Sequence, residues 1–164
     1  VPWPPWPVPP STDAALLVGV LARHVERPRL LGLLLVRRGG WAVGTCRDGR
    51  LLRDKTGSRY VQARTAAGGW SQQRYARRRS GQAGVLVGAV VDAVVGRLRP
   101  VELDGLVVGG DRQLVRAVLD DKRLAALSRL PRSPLLEVPD PKAAVLEEAA
   151  RRTLAVRVRL TEPD

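Results

Sequence analysis

Gly68-Gly69-Trp70-Ser71-Gln72-Gln73 is followed at once by Arg74-Tyr75-Ala76-Arg77-Arg78-Arg79. Two adjacent glycines accept backbone angles that other residues resist, so a loop tip built on them can press against a ligand. Two primary amides come next, each both donor and acceptor. Apart from Ser71 the stretch has no nucleophile, and it holds no metal ligand and no carboxylate. Its chemistry is that of a neutral, amide-bearing tip joined to a cationic block. The competing reading is a loop of turn formers leading into a helix, with Ser71 as N-cap and Gln72 and Gln73 in the exposed first turn. The neighbours favour a site. Trp70 and Tyr75 offer stacking surfaces for bases, and Arg74, Arg77 and Arg78, spaced i, i+3 and i+4, share one face of a helix.

The charge of the whole chain points the same way. The formal net charge is +12 over 164 residues, and all of the excess lies in residues 1–100, with 17 Lys/Arg against 5 Asp/Glu. Residues 101–164 hold 11 of each. Phe, Met, Ile and Asn never occur and only Lys55, Lys122 and Lys142 are lysine, a skew that suggests GC-rich coding and discounts individual arginines. Biased coding spreads arginine evenly, whereas a polyanion-binding face concentrates it. Nucleic acid is the expected partner.

Other chemistries find little support. His24 is the only histidine and falls at a helix end, in RHVERPR, with no nucleophile beside it. Cys46 stands alone in an apolar run, which predicts a buried, inert thiol and excludes a disulfide framework or a zinc cluster. GGDRQL after LVV has the strand–glycine–helix order that can hold a phosphate, but lacks the glycine or lysine pattern of a nucleotide loop. Asp92, Asp104 and Asp111 are expected to have structural roles, on a helix face, at a strand start and at a helix cap. No metal and no cofactor is expected. With no run of about 18 apolar residues and no signal peptide, the expectation is a cytoplasmic protein that does not engage a membrane and is monomeric off its partner.

The positioning elements follow from periodicity. VPWPPWPVPPS, residues 1–11, is a polyproline II lead-in with Trp3 and Trp6 on one face. Val1 in place of Met leaves open a fragment or an alternative start. The single domain then spans 12–162. Thr12 or Asp13 caps a helix over AALLVGVLARHV, RLLGLLLVRR reads as a buried strand, and Gly39-Gly40 and Asp48-Gly49 turn it into a three-stranded antiparallel meander reaching into RYVQART. A helix over roughly 71–98 carries an apolar stripe at Tyr75, Ala83, Val87, Val90, Val94 and Leu98, with Gly81, Gly84 and Gly88 expected to permit close packing on the sheet. Then come a strand (LDGLVVGG), a helix capped by Asp111, a short helix over 122–129, a strand (LLEV), a helix with Pro141 near N1, and a last strand (LAVRVRL). A meander followed by β-α-β units predicts a mixed α/β sheet flanked by helices.

Gly68-Gly69 followed by SQQRYARRR resembles the GGQ loop and Arg-rich helix in the central domain of archaeal and eukaryotic peptide release factors. KTGSRYVQARTAAGGWSQQRYARRR (55–79), LLVRRGGWAVG (34–44), LVVGGDR (106–112) and LEVPDPKAAVLEEA (136–149) are together similar to the Vms-like release factors, in their actinobacterial and chloroflexi branch. That resemblance spans about residues 14–160 and implies an RNase H-like domain. It implies hydrolysis of ribosome-bound peptidyl-tRNA at the peptidyl transferase centre of the large subunit, in rescue of stalled ribosomes. By the same match Gln72 is the functional amide, with Gly68, Gly69, Ser71 and Gln73 completing the loop. Arg64, Trp70, Arg74, Tyr75, Arg77, Arg78 and Arg79 are the implied RNA contacts. One departure stands out: Trp70 and Ser71 separate the glycines from the glutamine. The rival expectations are cleavage near the CCA end of the tRNA by the same loop, and a non-catalytic ribosome- or RNA-binding module.

Overall fold

The computed structural model describes residues 13–58 and 72–155. Strands β1 (Leu30–Arg37), β2 (Gly40–Arg47) and β3 (Arg50–Ser58) form the expected antiparallel meander. Strand β4 (Gly105–Gly110) pairs parallel with β1, so the sheet runs β3-β2-β1-β4. Helices α1 (Ala14–Glu26), α2 (Gln72–Arg97), α3 (Arg112–Leu119), α4 (Ala125–Ser128) and α5 (Ala143–Arg151) complete the mixed α/β architecture. Asp13 caps α1, accepting from the amides of Ala15 and Leu16.

β1 is apolar along almost its whole length because it is covered on both faces. Leu34 and Val36, with Trp41, Val43, Leu106 and Val108, face the layer of α2 and α3. Leu31, Leu33 and Leu35, with Ala42, Cys46 and Val107, face α5 through Leu146, Ala149 and Ala150. Each fully buried Leu or Val contributes about 1.5–3 kcal/mol. The two-residue strand period therefore anchors helices on both sides of the sheet.

The turns are chemically explicit. Asp48 and Gly49 both have positive φ, 49° and 73°, as a type I′ hairpin requires. The first hairpin differs by one residue from the sequence expectation: Arg38-Gly39 makes the turn, and Gly40 already pairs with Arg37. On β3 the ladder shifts opposite Thr45 and Cys46, leaving Leu52 as an extra, exposed residue. That bulge sits on an edge strand of the described sheet.

Helix α2 has 26 residues, about 39 Å at 1.5 Å per residue. An eight-residue strand such as β1 spans about 26 Å. Leu98, just past the helix, lies close to Gly32 near the start of β1. The helix is therefore longer than the sheet it packs on, and its beginning must project past it. Val90, Val94 and Leu98 are buried as expected, joined by Leu86, Val91 and Ala93. The expectation of close packing fails for Gly84 and Gly88, while the surroundings of Gly81 lie outside the described set. A Cβ at Gly84 or Gly88 would meet nothing within 4 Å, so close approach to the sheet does not explain them.

Two further expectations are corrected. LLEV forms no strand, only isolated bridges from Arg132 to Leu106 and from Leu136 to Gly109. Pro134 lies between them, and proline interrupts a ladder. The Ser133 hydroxyl accepts from the Val108 amide at 3.1 Å, and the ladder resumes one residue late, with Leu136 donating to Val108. Pro141 lies near N1 of α5 as expected, directly before the N-cap Lys142. The 122–129 stretch divides into a 3-10 turn (Lys122–Leu124) and α4. Leu154 ends a second 3-10 turn capped by Ala155, and residues 156–160 of the expected last strand, like the lead-in and the end of the third strand region, lie outside the described residues. Among the described residues no helix is long and apolar enough to cross a membrane.

Candidate functional site

The sequence candidates divide at the start of α2. Gly68, Gly69, Trp70, Ser71 and Arg64 lie outside the described residues, whereas the helix begins at Gln72 and runs on through Gln73, Arg74, Tyr75, Arg77, Arg78 and Arg79. At 100° per residue, positions 74, 77 and 78 share a face and position 73 is turned away from position 72. The amide candidate thus occupies the first residue of a long helix. The chain leaves β3 at Ser58, opposite Gly40, which itself pairs with Arg37. The stretch leading to Gln72 therefore departs from the end of the sheet where β1 finishes.

That same end holds a cleft of about 430 Å³ whose lining includes Arg37, Arg38, Gly39, Asp111, Glu137 and Asp140. It opens where β4 turns into α3 and β1 into its hairpin, at the carboxyl ends of two parallel strands. Gly110 has φ +97°, and a Cβ there would collide with the Val36 carbonyl oxygen. The Asp111 amide donates to that carbonyl at 2.7 Å. Glycine is thus required for β4 to leave the sheet across β1. The expected cap is present: Asp111 Oδ1 accepts from the amides of Gln113 and Leu114 at 2.9 and 3.2 Å. Those two amides are therefore already satisfied by the chain's own carboxylate.

The arginines of the cleft pair only loosely with its carboxylates. Arg37 donates from Nη1 to the Val138 carbonyl at 2.7 Å and stands 3.8 Å from Asp140. Arg38 stands 4.0 Å from Asp111 Oδ2 and is 77% exposed. Neither carboxylate lies within ordinary hydrogen-bond range of its arginine. Sequence reading missed this cluster, having treated Arg37-Arg38-Gly39-Gly40 only as a strand end and a turn. A signal was available, since LLVRRGGWAVG, LVVGGDR and LEVPDPK, three of the stretches carrying the family resemblance, all meet here.

The remaining candidates have the expected structural roles. Asp92 accepts from Arg123 Nη1 at 2.8 Å, and Asp104 Oδ2 accepts from the Leu30 amide at 2.8 Å. With Asp111 capping α3, the three carboxylates serve separate places. Asp121 is lowered below the usual carboxylate range by hydrogen bonds from Arg123. Cys46 is fully buried, and burial pushes its thiol up to about 11 against the opposing effect of a Thr153 hydrogen bond. It is inert at neutral pH. His24 lies on α1 near its end, as expected, although its side chain is outside the described set.

Basic side chains also crowd the β2–β3 hairpin. Arg47, Arg50, Arg53 and Lys55 are all exposed. None of them forms an ion pair among the described residues.

No curated protein matches the chain. The family model of the Actinobacteria/chloroflexi VLRF1 release factor matches residues 29–159, which takes in the sheet, the stretch between β3 and α2, and the cleft. α1 and the proline-rich lead-in lie before the matched stretch. With most of its length matched, the chain belongs to the Actinobacteria/chloroflexi VLRF1 release factor family.

Proposed function

We propose that this protein hydrolyses the ester of ribosome-bound peptidyl-tRNA, freeing the nascent peptide at the peptidyl transferase centre of stalled ribosomes. The observation that carries this reading is the family match over residues 29–159, which includes the Gly68-Gly69-Trp70-Ser71-Gln72 loop. An RNase H-like arrangement is part of the proposal, supported by an antiparallel meander, a parallel β4 and helices on both faces.

The chemistry suits a neutral tip. Ester hydrolysis needs a placed water and stabilisation of a developing oxyanion, and the Gln72 amide with loop N–H groups from Gly68, Gly69 and Ser71 can supply both. Proton transfer is left to hydroxyls of the RNA. A helix longer than its sheet is a means of carrying such a tip away from the domain into a narrow site. Arg64, Arg74, Arg77, Arg78 and Arg79 hold phosphates and aim the tip, while Trp70 and Tyr75 stack on bases. Gln73 is the secondary amide.

Product analysis on ribosome-bound peptidyl-tRNA tests the reading. Free tRNA with an intact CCA end supports it. Loss of that end identifies nucleolytic cleavage, and absence of product identifies a binding module. Gly69→Ala is expected to slow release, and Gln73→Ala to slow it far less than Gln72→Ala.

A further inference from the structure

We propose that the cleft at the carboxyl ends of β1 and β4 binds one ribonucleotide of an RNA chain, Arg38 taking a phosphate and Asp140 the 2′-hydroxyl. The inference deepens the proposed function, since it rests on RNA being the partner, and it adds a contact that the loop before α2 does not make.

The cleft's volume of about 430 Å³ falls within the ~300–1,000 Å³ of small-ligand sites. Its position matches the crevice where open α/β sheets take their ligands, outside the carboxyl ends of the strands. The charges define the ligand class. A bare anion would be poorly served, because Asp111, Glu137 and Asp140 line the same cleft as Arg37 and Arg38. A cation would meet two guanidiniums. A ribonucleotide suits both kinds of group, placing a phosphate for a planar guanidinium beside a hydroxyl that donates to a carboxylate.

The individual groups are available for these roles. Arg38 makes no hydrogen bond among the described residues, and its 4.0 Å pairing with Asp111 leaves its N–H groups free to turn to a phosphate. Asp140 is 66% exposed and 3.8 Å from Arg37. Gly39 keeps the mouth open, since a Cβ there would stand 2.9 Å from Asp140 Oδ2.

Fluorescence anisotropy of the full chain, with short labelled single-stranded RNA and DNA of one sequence, tests the proposal. The 2′-hydroxyl is the group that separates the two probes. Wild type is expected to prefer RNA by roughly tenfold, the value of one good hydrogen bond to a charged group. Asp140→Ala should abolish that preference by weakening RNA alone. Arg38→Ala should weaken both probes, and Gly39→Val should reproduce the loss of RNA binding by narrowing the mouth. Thermal melts identify any variant that has unfolded. Equal binding of RNA and DNA by wild type, or a preference that survives both Asp140→Ala and Gly39→Val, overturns the proposal. Binding of a labelled ribonucleoside monophosphate more tightly than the RNA probe overturns it in favour of a free nucleotide. Gln72-dependent peptide release is read separately, so either proposal can fail while the other stands.

Discussion

Three arginines of the helices after β4 are ion-paired, whereas none on the β2–β3 hairpin is, among the described residues. Beyond β4, Arg116 pairs with Asp120, Arg123 with Asp121 and Asp92, and Arg151 with Glu148. These cations fasten the chain to itself. On the hairpin, Arg47, Arg50, Arg53 and Lys55 are exposed and have no ion-pair partner among the described residues. Composition alone does not separate the two uses, since both regions are rich in arginine. What separates them is the use of carboxylates: 11 of the 16 lie after residue 100, and Asp48 and Asp54 on the hairpin form no ion pair among the described residues. A cation that no neighbouring acid engages is left for an external anion.

The largest expected effect lies at the head of α2, in the basic part of the chain. Gln72→Ala should lower single-turnover peptide release about 100- to 1000-fold, the loss of one positioned donor, with ribosome binding nearly unchanged. Release at the wild-type rate would leave the loop as an RNA contact only. Next is salt. If about six phosphates are held, affinity for ribosomes or tRNA should fall about a thousandfold between 50 and 200 mM salt. Reversing Arg77 with Arg78, or Arg50 with Arg53, should flatten that dependence. Reversing Arg116 or Arg151 should not, and a flattened slope there would break the contrast between the two regions. Conversely, Arg123→Ala should lower the melting temperature without altering RNA binding.

Smaller effects probe the scaffold. Gly84→Ala should raise stability by about 0.5–1 kcal/mol and Tm by about 2–4 °C, because the added methyl meets open space. Cys46 gives a pH test. Its thiol is raised from 9.0 to about 11 in the folded protein, so its contribution to stability is complete below pH 9 and disappears as pH rises through 11. Cys46→Ala should flatten that alkaline loss, and iodoacetamide at pH 8 should modify the native protein far more slowly than the unfolded chain.

The sheet was legible because its signals are local. The apolar run of β1, the Asp48-Gly49 turn and the Asp13 and Asp111 caps each depend on neighbours in sequence. Two local signals misled. Gly84 and Gly88 suggested close packing, yet their lack of side chains faces open space, a fact set by how the helix is rotated on the sheet. LLEV has the composition of a strand, but Pro134 before it and Pro139 after it leave too short a ladder. The cleft was illegible for a different reason. Arg37 meets Val138 across 101 positions, and only the parallel pairing of β1 with β4 brings the two ends together. Gln72 was singled out by local chemistry and placed by resemblance, and its backbone position at the head of α2 agrees with a helix read from the 3.6-residue period.

The interrupted segment beside β4 has a consequence for solubility. A complete strand there would present a regular row of donors and acceptors to any neighbouring molecule. Instead residues 131–139 include Pro131, Pro134 and Pro139, each without an amide hydrogen, and the Ser133 hydroxyl takes the place of one backbone partner. This border of the described sheet is a poor template for a strand from a second molecule. The protein is thereby guarded on this side against edge-to-edge aggregation, by covalent structure that no change of salt can screen.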